Sequence, residues 1–220
     1  MNRGPFIFLG VFLIVATSWT FVLFKTHQEV GQLTTVLDED LGKYVPGKTT
    51  GAAAHGKEVY QELGCIACHT QQVRVASGMD IARGWGERQS VARDYINDER
   101  SLIGNVWIGP DLSNVGARRG EMNWHLLHFY NPQINSKGTN MPAYPFLYEV
   151  CEVVGEASAN ALILPEEFSL GEGLEVIPKR KAESLASYML SLKVDCDLKE
   201  APKSNEIMAE ELAVALENAQ

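Results

Sequence analysis

Two cysteines and a histidine are the residues of this chain best suited to chemistry: Cys65, Cys68 and, directly after the second cysteine, His69. This spacing is the attachment pattern of a c-type haem, in which two thiols form thioethers with the vinyl groups of one porphyrin. The histidine then lies under the iron. Zinc and dithiol sites also use short cysteine patterns, so other features must decide between these chemistries. We predict one covalently bound haem c, with Cys65 and Cys68 as attachment residues and His69 as an iron ligand.

A haem iron held by one histidine has a sixth position, and methionine there makes the iron an electron carrier. Met141 lies between a glycine turn and Pro142 in the sequence Thr-Asn-Met-Pro. Proline fixes its own φ and restricts the residue before it, so this loop can hold a sulfur against the iron. We therefore predict Met141 as the second ligand. His125 and His128 are alternative axial ligands, although their place on a predicted helix agrees better with packed or surface positions.

Three further residues are predicted to surround the cofactor. Pro110 lies in a Gly-Pro-Asp-Leu loop, where its carbonyl can accept a hydrogen bond from the far nitrogen of His69 and fix the orientation of the ring. Arg74 and Arg118 are candidates for the haem propionates, because a guanidinium binds carboxylates in a bidentate manner. The alternative is that both arginines are solvated surface residues.

An uncharged apolar run at residues 5–24 precedes these motifs. Its length is what a helix needs to cross a hydrocarbon layer of about 30 Å. Arg3 and the amino terminus should stay in the cytoplasm, which leaves residues 1–4 inside. A cleaved signal peptide is the alternative, but the run is long and no small-x-small cleavage site follows it. We predict a single-pass protein of the bacterial inner (cell) membrane, with its haem domain on the outer, periplasmic side.

The rest of the chain must fold around the haem motif. Helical spacing predicts a helix over 52–63 that ends at Gly64, just before the motif, and a closing helix over 178–192 that packs against it. The predicted layout is a linker at 25–50 with a short helix at 28–37, a cytochrome c domain at 51–194 with a long loop at about 148–177, and an acidic tail at 195–220. The predicted fold class is mainly α: a single N-terminal transmembrane helix plus a class I-like cytochrome c domain.

The net charge limits the classes of function, and two further cysteines raise the question of a disulfide. The net charge of −9 argues against nucleic-acid binding, which needs a basic face, and suits a basic protein partner. Cys151 and Cys196 could form a disulfide in an oxidising compartment or remain two partly buried thiols, and the sequence leaves both possibilities open. In the tail, an apolar stripe could dock on a partner, while a solvated tail is the more usual outcome.

Several motifs together resemble one protein family. In chain order they are residues 56–60 (GKEVY), 65–74 (CIACHTQQVR), 109–116 (GPDLSNVG), 124–128 (WHLLH) and 140–147 (NMPAYPFL). With the anchor in the expected place, they resemble the monohaem cytochrome c subunit (subunit II) of C-family, cbb-type haem–copper oxidases. The resemblance covers roughly residues 50–150.

The resemblance implies a non-catalytic electron-transfer subunit. It would pass electrons to the haem–copper catalytic subunit that reduces oxygen, alongside further cytochrome subunits. A donor cytochrome or a quinol-oxidising complex would lie upstream. The alternatives are the electron-entry subunit of a nitric oxide reductase, a free-standing membrane-anchored shuttle, and a haem-based ligand sensor. A ligand sensor needs a sixth ligand that can be displaced. Met141 is held in its loop by Pro142, which argues against a sensor.

Overall fold

The structure is a computed structural model that describes residues 3–39, 42–74 and 79–204. The chain divides into two compact units: Met1–Gly47 with Val91–Asp98, and Lys48–Ser90 with Glu99–Gln220. Helices dominate the regular structure of the described residues, and two short two-stranded sheets accompany them. The prediction of a mainly helical protein is confirmed.

The first unit contains one long helix, α1 (Gly4–Glu29), with Pro5 in its first turn. Its 26 residues span about 39 Å, and the helix is long and apolar enough to cross a membrane. None of its residues is buried in the chain, so apolar side chains face outward on all sides, as a lipid-facing helix requires. The predicted anchor at 5–24 lies within it. At its end, Lys25 forms an ion pair with Glu29 at 3.0 Å.

The prediction of a short helix at 28–37 is wrong. α1 ends at Glu29, and the chain then forms strand β1 (Val36–Asp38), which pairs antiparallel with β2 (Lys43–Val45). The local sequence Thr-Thr-Val is β-branched and favours extended backbone over helix. The linker of the sequence-based layout therefore contains a hairpin.

The second unit is built on two crossing helices, α2 (Gly51–Glu62) and α6 (Arg180–Ser191). Both helices begin and end within two residues of their predicted limits. They cross at Gly56, where a Cβ atom would lie 1.9 Å from the carbonyl oxygen of Ser184. Only glycine allows this approach, so Gly56 decides where the two helices meet.

Among the described residues of the second unit, three shorter helices accompany α2 and α6: α3 (Met79–Ala82), α4 (Val115–Arg118) and α5 (Met122–Tyr130). Both α4 and α5 pack on α6. The buried core between α2 and α6 includes an edge-to-face pair of Tyr60 and Tyr188, with ring centroids 5.6 Å apart. Other core residues are Val59, Leu112, Val115, Leu126, Phe129, Leu147, Leu185 and Met189. Burial of each large apolar side chain stabilises the fold by about 2 kcal/mol.

The predicted loop at 148–177 is only partly a loop. Its ends form strands β3 (Tyr148–Glu152) and β4 (Leu174–Pro178), which pair antiparallel. Between them the chain makes one short 3₁₀ turn, Glu166–Phe168, and packs the buried Leu162 beside β4. Each strand is only five residues long and contains glutamate beside apolar residues, so neither shows a clear strand pattern in the sequence.

The packed part of the second unit continues beyond residue 194. Cys196, Leu198 and Ala201 are buried, so the predicted tail does not begin at 195. The apolar stripe predicted farther along the tail lies outside the described residues. Cys196 and Cys151 are both unpaired thiols, which answers the question that the sequence left open.

Candidate functional site

A cavity of about 680 Å³ lies within the second unit, a volume typical of cofactor sites. The cavity-lining residues come from the end of α2, the cysteine motif, the loop before α4, helices α4 to α6, and the loop that contains Met141. Among them are Cys65, Cys68, His69, Pro110, Arg118 and Met141. Six of the seven predicted site residues thus share one cavity, and Arg74 is the exception.

The cysteine motif begins directly after α2. Gly64 takes a left-handed backbone with φ of +70°, which ends the helix and starts a 3₁₀ turn at Cys65–Ala67. Both cysteines are partly buried and line the cavity. Burial raises the pKa of the Cys65 thiol to about 11.

A zinc site is the other chemistry that the motif allows. Structural zinc needs about four cysteine, histidine or carboxylate ligands. Across residues 3–39, 42–74 and 79–204, no three such side chains lie close enough together to hold a metal ion. The described part of the chain therefore offers no zinc site around the motif.

His69 is oriented by the residue that the sequence indicated. Its Nδ1 lies 2.8 Å from the carbonyl oxygen of Pro110. A carbonyl only accepts, so Nδ1 carries the proton and the lone pair is on Nε2. Burial lowers the pKa of His69, which keeps the imidazole neutral and able to bind a metal. This is the protonation state that an axial ligand to iron requires.

Gly109 packs directly against the face of the His69 ring. A Cβ atom at this position would lie 2.3 Å from Cε1 and 2.6 Å from Nδ1 of the imidazole. The backbone N–H of Gly109 also donates to the carbonyl oxygen of Cys68 at 2.9 Å. The absence of a side chain at Gly109 thus lets the loop approach the ring closely enough for the Pro110 contact.

Asp111 is a structural residue of this site that sequence reasoning missed. Its fully buried carboxylate accepts hydrogen bonds from the Thr70 hydroxyl and the Gln72 backbone, both at 2.7 Å, and from the Ser113 backbone at 2.8 Å. These bonds tie the residue after Pro110 to the residue after His69. The signal was present in the Gly-Pro-Asp-Leu loop, where an acidic residue follows the proline, but only the proline carbonyl was considered.

Met141 lines the cavity and is partly buried against the core. Its backbone N–H donates to the Thr139 hydroxyl at 3.2 Å, and the amide of Gln133 donates to the Thr139 carbonyl at 2.9 Å. The loop is therefore held by short-range bonds and by Pro142. A thioether sulfur here agrees with the predicted iron ligand.

The two arginines that were predicted to bind propionates have different surroundings. Arg118 lines the cavity and donates through Nη2 to the carbonyl of Asp111, while its buried Nε has no hydrogen-bond partner among the described residues. Burial lowers its pKa. As a cation in the cavity wall, Arg118 fits a cavity that receives an anionic group.

Arg74 is engaged elsewhere. Its Nε lies 3.0 Å from the carboxylate of Asp80, and its Nη2 donates to the Thr70 hydroxyl at 2.9 Å. Its guanidinium also lies 3.9 Å from the ring centre of Trp107, which is half exposed rather than part of the core. These contacts occupy the guanidinium outside the cavity and do not support a propionate role for Arg74. That role remains a prediction from the sequence.

The composition of the cavity wall suits haem. The described residues that line it include Arg118, Arg119, His125 and His128 but no aspartate or glutamate. Aromatic and aliphatic side chains form most of the remaining lining. A flat apolar ring with two carboxylates matches such a wall, so the residues present fit the predicted cofactor.

Comparison with known protein families matches residues 38–207 to the family described as cytochrome C oxidase, mono-heme subunit/FixO. A search of curated proteins found no match. The family match covers more than three quarters of the chain and confirms the resemblance found in the sequence motifs. It implies one haem and a catalytic subunit as partner, and it supports the oxidase rather than the alternative functions. The chain therefore belongs to the family of monohaem cytochrome c subunits of haem–copper cytochrome c oxidases.

Proposed function

We propose that this chain is a membrane-anchored electron relay that delivers electrons to the catalytic subunit of its oxidase. One observation carries the proposal: Cys65, Cys68, His69 and Met141 line the same cavity, and His69 has its Nδ1 occupied by Pro110. Thioethers from the two cysteines would attach the haem. His69 Nε2 and the Met141 sulfur would ligate the iron, and Arg118 would bind a propionate.

When bound, the haem supplies a one-electron couple between ferric and ferrous iron. The protein's own contribution would be to hold His69 and Met141 as the two ligands, so that no position stays open for oxygen or another molecule. With haem bound, the neutral His69 would donate electron density, and the Met141 sulfur would raise the potential by favouring ferrous iron. The mostly apolar wall would limit contact with water, and Arg118 would offset negative charge. These features suit electron transfer rather than bond-making chemistry.

The anchor and the partners complete the proposal. We infer that α1 crosses the bacterial inner membrane once and that the haem domain lies on the periplasmic side, because Arg3 precedes the apolar run. The donor would be a cytochrome or a quinol-oxidising complex, and the chain's net charge of −9 favours a donor with a basic surface. Cysteine-accessibility labelling of intact spheroplasts would test the side of the membrane.

The ligand assignment is tested by spectroscopy on the full chain, expressed with haem attachment machinery and purified in detergent. The wild-type protein should show a thioether-linked haem and, when oxidised, a sulfur-to-iron charge-transfer band. M141A should lose this band and have a lower midpoint potential. M122A is the matched control, because Met122 is exposed and outside the cavity lining. An unchanged spectrum and potential in M141A would exclude Met141 as ligand.

A further inference from the structure

Three consecutive apolar side chains are exposed at the edge of the cavity: Val106, Trp107 and Ile108. Their exposed fractions are 41%, 52% and 65%. Among the exposed large apolar side chains of the described residues, Ile108 is the one that also lines the cavity. Contiguous apolar side chains on a surface mark an interaction site, whereas single exposed ones need no explanation. We call these three residues the apolar patch.

The loop that carries the apolar patch is held against the cysteine motif on both sides of the patch. Before it, the Gln71 backbone N–H donates to the Ile103 carbonyl at 2.8 Å. After it, the Gly109 N–H donates to the Cys68 carbonyl at 2.9 Å. A surface that is already held in one conformation loses little conformational entropy when a partner binds. The backbone of the patch is thus suited to a fixed contact.

Trp107 is oriented by a stacked cation. The guanidinium of Arg74 lies 3.9 Å from the centre of the indole ring, and Arg74 is itself bound to Asp80 at 3.0 Å and to Thr70 at 2.9 Å. About half of the Trp107 surface remains exposed. Tryptophan is enriched among the residues that contribute most to protein interfaces. Trp107 is therefore a preoriented aromatic side chain available to a partner.

The distribution of charge indicates the kind of partner. Residues 101–110 contain no charged side chain, whereas residues 148–178 contain seven glutamates and no lysine or arginine. A basic donor that arrives by electrostatic steering would be drawn to this acidic segment. An uncharged apolar surface does not steer a transient partner, and it is typical of permanent subunit contacts. The family match gives the chain a permanent partner of this kind, the catalytic subunit of the oxidase.

We propose that the apolar patch is the surface on which the catalytic subunit docks. This inference rests on the proposed function, which makes that subunit the electron acceptor. A partner that covers Ile108 lies against the wall of the cavity, so the path from the cofactor to the acceptor is short. Trp107 is the anchor of this contact, seated in an apolar pocket of the catalytic subunit.

Photo-cross-linking in the assembled oxidase provides the first test. The photoreactive residue p-benzoylphenylalanine replaces Val106 in one full-length variant and Val154 in another. Val154 is the control, because it is 91% exposed and lies in the acidic segment. We expect position 106, and not position 154, to form an adduct with the catalytic subunit, identified by mass spectrometry. If position 106 instead captures the donor, a second copy of this chain or no protein, the proposal is wrong.

Substitution in the patch provides the second test. V106E places a charge in the patch and leaves the stack of Arg74 on Trp107 intact, whereas W107A removes the anchor. The oxidase is purified in detergent through a tag on this chain, and the ratio of catalytic subunit to haem c is measured. We expect both variants to keep their haem and its absorption spectrum, and the ratio to fall to about a tenth of the wild-type value or less.

V154E is the matched control, since it makes the same substitution at an exposed position outside the patch. It should give the wild-type ratio. Wild-type ratios in V106E and W107A would contradict the proposal. A loss of the catalytic subunit in V154E but not in V106E would move the contact to the acidic segment and would also overturn the proposal.

The two proposals fail in different ways. Co-purification measures docking, whereas oxygen uptake by the purified complex measures electron delivery. A wild-type complex that keeps both subunits but reduces no oxygen through the haem of this chain would overturn the proposed function. Normal assembly of V106E and W107A with slower reduction by a donor cytochrome would make the patch the donor's contact, and only the docking proposal would be wrong.

Discussion

The histidine side and the methionine side of the cavity are held by different means. On the histidine side, hydrogen bonds join residues about 40 positions apart: His69 to Pro110, and Thr70 and Gln72 to Asp111. On the methionine side, the bonds at Thr139 span two and six positions. One side therefore depends on tertiary structure, and the other is held mainly by its own turn and proline.

This difference indicates how the site is assembled. A histidine ligand needs a defined tautomer and ring orientation, and a distant carbonyl supplies both. A thioether sulfur has no proton to place, so in the proposed role Met141 would only need to be brought near the iron. We therefore expect substitutions on the histidine side to be more damaging than equivalent substitutions on the methionine side.

The largest effect is expected for G109A. The new Cβ would lie within 2.8 Å of three ring atoms of His69, and relief of the clash must move the ring or the loop. We expect a loss of stability of about 3 kcal/mol and poor haem incorporation, measured by denaturant unfolding and by haem content. G47A is the control, since no atom from other parts of the described chain lies within 4 Å of its added Cβ. Wild-type haem content in G109A would break the contrast between the two sides.

The next effect is expected for D111N. An amide presents one acceptor and two donors where the carboxylate accepts three hydrogen bonds, so at least one buried N–H loses its partner. We expect a loss of about 2 kcal/mol in the free energy of unfolding. D197N removes the same charge at an exposed position and serves as control. Equal stability of D111N and D197N would show that the network is not structural.

A smaller effect is expected for T139A, which removes the hydroxyl that accepts from the Met141 backbone. Because the loop keeps Pro142 and the Gln133 bond to the Thr139 carbonyl, we expect a loss of about 1 kcal/mol or less and an unchanged charge-transfer band. Measurement by denaturant unfolding and by absorption would sharpen the comparison. A loss as large as that of D111N would mean that both sides are equally dependent on single contacts.

The smallest effect concerns pH and α5, which supports the methionine loop through the Tyr144 N–H bond to the Phe129 carbonyl. Burial lowers the pKa of His125 on this helix. As pH falls through about 6.5, the unfolded chain gains a proton at this histidine before the folded protein does, so stability decreases. H125Q keeps a donor for the Arg119 carbonyl but does not titrate. Thermal unfolding from pH 7 to 5 should show a shallower decline in H125Q, and identical slopes would contradict the prediction.

Local patterns were sufficient for several features. Helical spacing around Gly56 predicted α2, and the apolar spacing at Leu185 and Met189 predicted α6. The cysteine motif and the Asn-Met-Pro sequence indicated residues that line one cavity. The helix predictions succeeded because the information lies within a few residues of each element. The pairing of β3 with β4 was missed because its partners lie at least 22 positions apart in sequence. The β1–β2 hairpin was missed although its partners lie within nine positions and its β-branched residues carried a local signal.

The sequence by itself determined the chemistry of the site: two thiols, an imidazole and a thioether at spacings typical of a c-type haem, with an apolar helix before them. Tertiary structure alone decided which other side chains take part. It directed Arg74 to Asp80 and placed Arg118 in the cavity wall, although both are arginines near the motifs. It also made Asp111 the buried link between two loops. The physical reason is that ligand identity is a local property, whereas the burial and pairing of a polar group depend on which distant segments pack around it.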